Sequence, residues 1–245
     1  MWPVRVDPEL CVGCLQCLPY CPMGAIRDGG GVAVVDEDEC VECRVCQRSE
    51  VCPVDAFVQP ELRWPRVLRA LFSDPLTVHP ETGVAGRGTE EMKTNDVTGR
   101  FGAGEVGFGV EMGRPGTGCR FADVEVVTRE LARAGVTFEP KNPVTFLMTD
   151  TSTGEIRPEV LGEKVLTAII EFKVPAHRAE EILKLLTSLG ERLQTVFSLD
   201  FIVRAEPDGE PEVVERLRRA GWWLSPNGKV CLGLGRPGGE GGGRR

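Results

Sequence analysis

Tyrosine occurs once in this chain of 245 residues, and histidine only twice, as His79 and His177. Neither histidine sits beside a nucleophile motif. No G-x-S-x-G, H-E-x-x-H or kinase signature occurs anywhere, so the sequence assigns no catalytic residue. Positive charge is also short: 29 Lys and Arg stand against 37 Asp and Glu, a net charge of −8. That balance argues against a nucleic-acid partner, which needs a basic face. No apolar run approaches the roughly 20 residues of a membrane-spanning helix. The opening MWPVRVDPEL has neither an h-region nor a small-residue cleavage site, and a reducing cytoplasm is the expected compartment.

Cysteine and acid are what the chain has, and both are concentrated at one end. Residues 1–60 carry ten Asp and Glu against four Arg, so most of the net charge lies in the first quarter of the chain. A segment charged in this way is steered toward a basic docking surface on a redox partner. Eight of the ten cysteines fall between Cys11 and Cys52. In a reducing compartment, such density points to metal ligation ahead of disulfides.

The cysteine spacing is more telling than the count. Cys11, Cys14 and Cys17 follow C-x2-C-x2-C, and Cys21-Pro22 comes after a gap of three residues. Cys40, Cys43 and Cys46 repeat the triplet, with Cys52-Pro53 after a gap of five. Three thiolates spaced in this way let one tight loop wrap a corner of a cubane, and the proline turns the chain away. Structural zinc would use two separated C-x2-C pairs, which fits twice-repeated triplets poorly. The repeat extends past the cysteines: VDPELC (6–11) matches VDEDEC (35–40), and CPMGAI (21–26) matches CPVDAF (52–57). Short strands are expected at Val4–Val6 and Val32–Val35, with RDGGG (27–31) turning between the copies. Trp2, Tyr20 and Phe57 are candidate apolar covers for the sulfurs, or core packing of a small domain.

This stretch resembles the bacterial two-cluster ferredoxins over residues 1–60. The resemblance implies two [4Fe–4S] clusters, one on Cys11, Cys14, Cys17 and Cys52, the other on Cys40, Cys43, Cys46 and Cys21. The remote cysteine of each motif thus crosses to the other cluster. A cluster with four protein thiolates has no open iron, so it passes single electrons. Its potential, anywhere from about −700 to +450 mV, depends on hydrogen bonds to sulfur, burial and charge.

The remaining residues divide at composition changes. Residues 61–103 are expected to hold one amphipathic helix, with Leu62, Val67, Leu68, Leu71 and Phe72 at helical spacing, and then a Gly- and Thr-rich linker. Arg87, Lys93 and Arg100 among its glycines offer an anion cradle as one reading, a solvated linker or oligomer-contact arm as the other. From 104 to 236, strands are expected at Glu105–Met112, Pro143–Thr149, Lys164–Val174, Thr195–Ala205 and Lys229–Gly235. Helices alternate with them at 120–135, 176–193 and 211–221. This order gives an expected α+β fold class: an N-terminal bacterial-type ferredoxin domain, then a ferredoxin-like α/β sandwich, βαββαβ with an extra αβ. In element order alone it is similar to ACT-like modules, which makes a homo-oligomer or a complex subunit the expected assembly. Residues 237–245 are a Gly/Arg tail expected to be disordered. Cys119 and Cys231, one thiol each, are taken as structural. The repeated GRPG (113–116 and 235–238) is read as a tight strand exit, with an anion-binding pair of Arg114 and Arg236 as the other reading. The functional expectation is an iron–sulfur electron carrier with a fused partner-binding or dimerising domain. Its alternatives are the electron-input subunit of a larger anaerobic oxidoreductase and a redox- or ligand-responsive regulator.

Overall fold

A computed structural model describes residues 4–88, 92, 95–114, 116–204 and 211–226. Short hydrophobic runs between turn residues make short strands. In the first sixty residues β1 (Arg5–Val6) pairs with β4 (Phe57–Val58), and β2 (Ile26–Asp28) pairs with β3 (Ala33–Val35), both antiparallel. The Asp28 carboxylate closes the turn between β2 and β3 by accepting from the N–H groups of Gly30 and Gly31. Helix α1 (Val45–Arg48) lies in the second cysteine motif, where the first motif has only a 3-10 turn at Leu18–Tyr20. The two extra residues of the longer gap are therefore spent on a full helical turn ahead of Cys52.

After α2 (Val67–Ser73) and α3 (Asn95–Thr98), the chain enters its main sheet. The elements in order are β5 (Glu105–Met112), β6 (Cys119–Arg120), α4 (Phe121–Arg133), β7 (Thr137–Phe138), α5 (Pro143–Phe146), β8 (Met148–Asp150), β9 (Glu155–Ile156), β10 (Lys164–Val165), β11 (Ala168–Pro175), α6 (Ala179–Leu189), β12 (Phe197–Ile202) and α7 (Glu212–Arg219). The sheet runs β12-β5-β11-β7, every neighbouring pair antiparallel. β6 and β10 form a separate small ribbon. No helix among the described residues is long and apolar enough to cross a membrane.

Alternation sorts the two faces of the sheet. Val106, Phe108, Val110 and Met112 of β5 share one core with Ile170, Phe172 and Val174 of β11 and with the apolar stripes of α4 and α6. The opposite face carries Gly107, Gly109, Glu111 and Glu171. A Cβ on Gly107 would lie 3.0 Å from the Phe101 ring and 3.3 Å from the Met92 sulfur, so those side chains close over glycine backbone. The segment expected to be a linker thus packs against the sheet: His79, Met92 and Phe101 are buried. Arg87 and Arg100 approach the buried carboxylates of Glu111 and Glu139 at 3.8 and 3.5 Å, which leaves neither as the open anion cradle of the sequence reading, and Lys93 lies outside the described residues.

Residues 143–149 also differ from expectation. Pro143–Phe146 is a helical turn rather than a strand, because the Asn142 side chain accepts from the Val144 N–H at 2.8 Å and Pro143 fits the first helical position. Only Met148–Asp150 is extended. The expected final strand Lys229–Gly235 with Cys231, and Arg236 after it, lie outside the described residues, as do Trp2 and residues 237–245.

Candidate metal centre

The two cysteine motifs fold as near copies. The carbonyls of Asp7 and Asp36 accept from the N–H groups of Cys11 and Cys40, both at 3.0 Å. The Asp7 and Asp36 carboxylates accept from Glu9 and Asp38 N–H at 2.9 and 3.0 Å. Left-handed backbone recurs at matching places, φ 69° at Gly13 and 56° at Glu42, φ 55° at Leu15 and 56° at Arg44. Each Cys-Pro ends in an equivalent turn, where Ala25 N–H donates to Cys21 Sγ at 3.2 Å and Ala56 N–H donates to Cys52 Sγ at 3.3 Å.

Folding these copies around each other brings Cys11, Cys14, Cys17 and Cys52 to the wall of one cavity, with Val6, Ala33 and Phe57. Cys21, Cys40, Cys43 and Cys46 line a second, with Val4, Ile26 and Val35. None of the nine described cysteines forms a disulfide. Among the described residues, no three His, Cys, Asp or Glu side chains come close enough to hold a single metal ion. Thiols ringing an apolar cavity, two of them already accepting backbone N–H bonds, suit the larger body of an iron–sulfur cluster. Burial pushes Cys40 and Cys46 up to about 12 and also raises Cys43 and Cys17. Iron must therefore displace protons when it binds, because the thiolate is the ligand.

The surroundings of the second set contain residues that sequence reasoning missed. Arg69 is buried on α2 and donates to the carbonyls of Glu37, Asp38 and Cys40 at 3.1, 2.9 and 2.8 Å. Arg66 pairs with the fully buried Glu42 at 2.8 Å. Arg48 bridges the Cys43 carbonyl to buried Asp74, 2.7 Å from each. The opposite face of α2 is apolar: Leu68 and Phe72 join the sheet core, and Phe72 meets Phe121 edge-on at 5.2 Å. One short helix thus ties the second cysteine loop to the sheet domain. Its arginines carry no sequence signal beyond their placement on an amphipathic helix. Cys119, the one described thiol outside both motifs, is buried in the sheet core, and burial pushes it to about 12.

Residues 4–27 match the family of 4Fe-4S binding domains. The chain is similar to Ferredoxin-1 of Rhodobacter capsulatus, 38% identical over 61 residues, which are 23% of this chain and 94% of that protein. It is 41% identical over 60 residues to the ferredoxin-like protein in the vnf region of Azotobacter chroococcum, covering 23% of this chain and 92% of that one. It is also 40% identical over 55 residues to pyruvate synthase subunit PorD of Methanocaldococcus jannaschii, covering 22% and 62%. The fold of the cysteine loops and these likenesses define a 4Fe-4S-binding iron–sulfur protein that transports electrons. Through about its first sixty residues, the chain belongs to the bacterial ferredoxins.

Proposed function

We propose that the chain is a two-cluster electron carrier, with Cys11, Cys14, Cys17 and Cys52 holding one [4Fe–4S] cluster and Cys40, Cys43, Cys46 and Cys21 the other. The observation that carries this reading is the crossing of the remote cysteines. Cys52 joins the cavity of the first motif and Cys21 that of the second. Each cluster would supply one-electron transfer. The protein contributes thiolates, N–H bonds to the Cys21 and Cys52 sulfurs and an apolar wall, all of which tune the potential. We read the sheet domain as a ferredoxin-like α/β sandwich from its βαββαβ order and its β12-β5-β11-β7 arrangement, and as a part of the chain that dimerises or binds a complex partner other than the one exchanging electrons. The likeness to PorD favours a second reading, an electron-input subunit of a larger oxidoreductase.

Anaerobic reconstitution with iron and sulfide, followed by EPR of the reduced protein, tests the cluster count. About eight irons with spin-coupled signals are expected, and four irons would overturn it. Cys52→Ser should remove the cluster of the first motif, although Cys52 lies in the second. Purification under anaerobic native expression separates carrier from subunit, since a subunit arrives with its catalytic chain.

A further inference from the structure

The two cysteine loops are near copies, but their surroundings are not. Val12 is 63% exposed, while its repeat mate Val41 is 1% exposed. Cys14 is exposed, whereas its mate Cys43 is buried. Val54, 37% exposed, lines the same cavity as Val12 and Cys14, and Leu10, which precedes Cys11 in the chain, is 49% exposed. Their mates are Met23 and Glu39, and both are half-buried and touched by the sheet domain. Lys164 of β10 pairs with Glu39, and Arg120 of β6 meets Asp38 at 2.9 Å. Met23 packs on Gly118, where an added Cβ would come within 2.6 Å of its terminal methyl.

The sheet domain therefore sits on the second loop through a basic pair laid against acidic residues, beside an apolar contact. The first loop presents a single acid, Glu9, the exposed mate of Asp38, with the exposed apolar residues Leu10, Val12 and Val54. We propose that this face of the first cysteine set docks a separate redox protein that presents basic residues to Glu9 around an apolar centre, as Arg120 and Lys164 face Asp38 and Glu39 at the second set. This proposal rests on the electron-carrier reading above. A second copy of this chain does not fit as the occupant through the same face, because two such faces would oppose acid to acid. With Cys40, Cys43 and Cys46 buried and Cys14 exposed, the first loop is the more open entrance for electrons, so the added domain makes a symmetric module one-ended.

Zero-length carbodiimide coupling of the reconstituted, oxidised full-length protein to ferricytochrome c, a basic haem protein, tests this at about 10 mM salt, where surface charges act over long range. Coupled carboxylates should map to Glu9 and its neighbours in residues 7–10. Glu9→Lys should weaken binding by about tenfold, and Val12→Ser should weaken it without changing its salt dependence. Glu159→Lys, an exposed acid on the sheet domain, should match the wild type. Coupling centred on the sheet domain, or a Glu9→Lys affinity equal to that of Glu159→Lys, would overturn the proposal. Failure of the electron-carrier reading is separately visible, as a preparation that binds no iron.

Discussion

The Nη1 atom of Arg69 lies 2.8 Å from the carbonyl oxygen of Cys40, a guanidinium on the connecting helix ending on the backbone of a cluster-ligand candidate. The same nitrogen also reaches the carbonyls of Glu37 and Asp38, while Nε bonds to Glu163 of the sheet domain. One side chain thus fixes the approach to the second thiolate set and its distance from the sheet. Replacing it with leucine leaves those carbonyls without their charged donor, at a cost of about 3 kcal/mol. Arg69→Leu is expected to lower the melting temperature and to release iron first from the Cys40–Cys46 loop. Iron content and the loss of spin coupling in EPR would show this, with the signal of the first set surviving.

Gly13 and Glu42 occupy equivalent left-handed positions, yet only the second tolerates a side chain. A Cβ at Gly13 would lie 2.3 Å from the Gly31 carbonyl oxygen, in the turn that abuts the first loop. Gly13→Ala therefore meets both the left-handed penalty of about 1–2 kcal/mol and a backbone clash. Gly24→Ala has φ +62° but open space around it, so it meets only the penalty. The expected order of stability is wild type, Gly24→Ala, then Gly13→Ala, and only Gly13→Ala should impair iron retention in the first set. Parallel melting curves and iron assays measure both effects.

The iron–sulfur quarter of the chain was legible because its chemistry is local. Spacing within Cys11–Cys21 and Cys40–Cys52 dictates loops, and the duplicated Asp7 and Asp36 build the same turn twice. The sheet strand Glu105–Met112 was legible by alternation, whereas the single strand expected at Lys164–Val174 divides into β10, paired with β6, and β11 of the main sheet. Two other features depended on contacts that periodicity does not carry. Val144, Thr145 and Phe146 look like strand residues, and the overriding signal was the pair Asn142-Pro143, a helix cap with proline behind it. Met92 and Phe101 are isolated apolar residues in a Gly-rich stretch. Gly107 and Gly109 inside a strand were the sign that something would approach its backbone closely. The arginines of α2 lay beyond sequence reading, since their carbonyl partners come from loops roughly thirty residues earlier.

The fully buried Glu42 makes the second loop dependent on Arg66. Its other contacts are longer, the Gln59 amide at 3.3 Å and the Val4 N–H at 3.4 Å. Arg66→Met leaves a buried carboxylate without its cation, which costs about 3–5 kcal/mol. Adding Glu42→Gln to that variant removes the charge and should recover most of the loss. A double-mutant cycle on thermal stability measures the coupling, and strictly additive losses would contradict it.

His79 gives the protein a pH dependence of its own. Its ring is buried between Phe72 and Phe146, at centroid distances of 6.2 and 6.1 Å, and its Nδ1 accepts from the Glu81 N–H at 3.3 Å. Burial holds its pKa below the usual 6.5, with the nearby Glu81 carboxylate opposing that shift. The unfolded chain then binds a proton at a pH where the folded chain does not. The contribution of the neutral imidazole is complete above pH 6.5 and is lost as pH falls from there toward the lowered folded value. The slope in that window reaches at most about 1.4 kcal/mol per pH unit. His79→Phe keeps an aromatic ring there and removes the titration. Between pH 7.5 and 5, the wild type should therefore lose more stability than the variant, and denaturant midpoints measured at intervals across that range would show the two curves converging on the acid side. Parallel curves would mean that His79 titrates as an ordinary exposed imidazole.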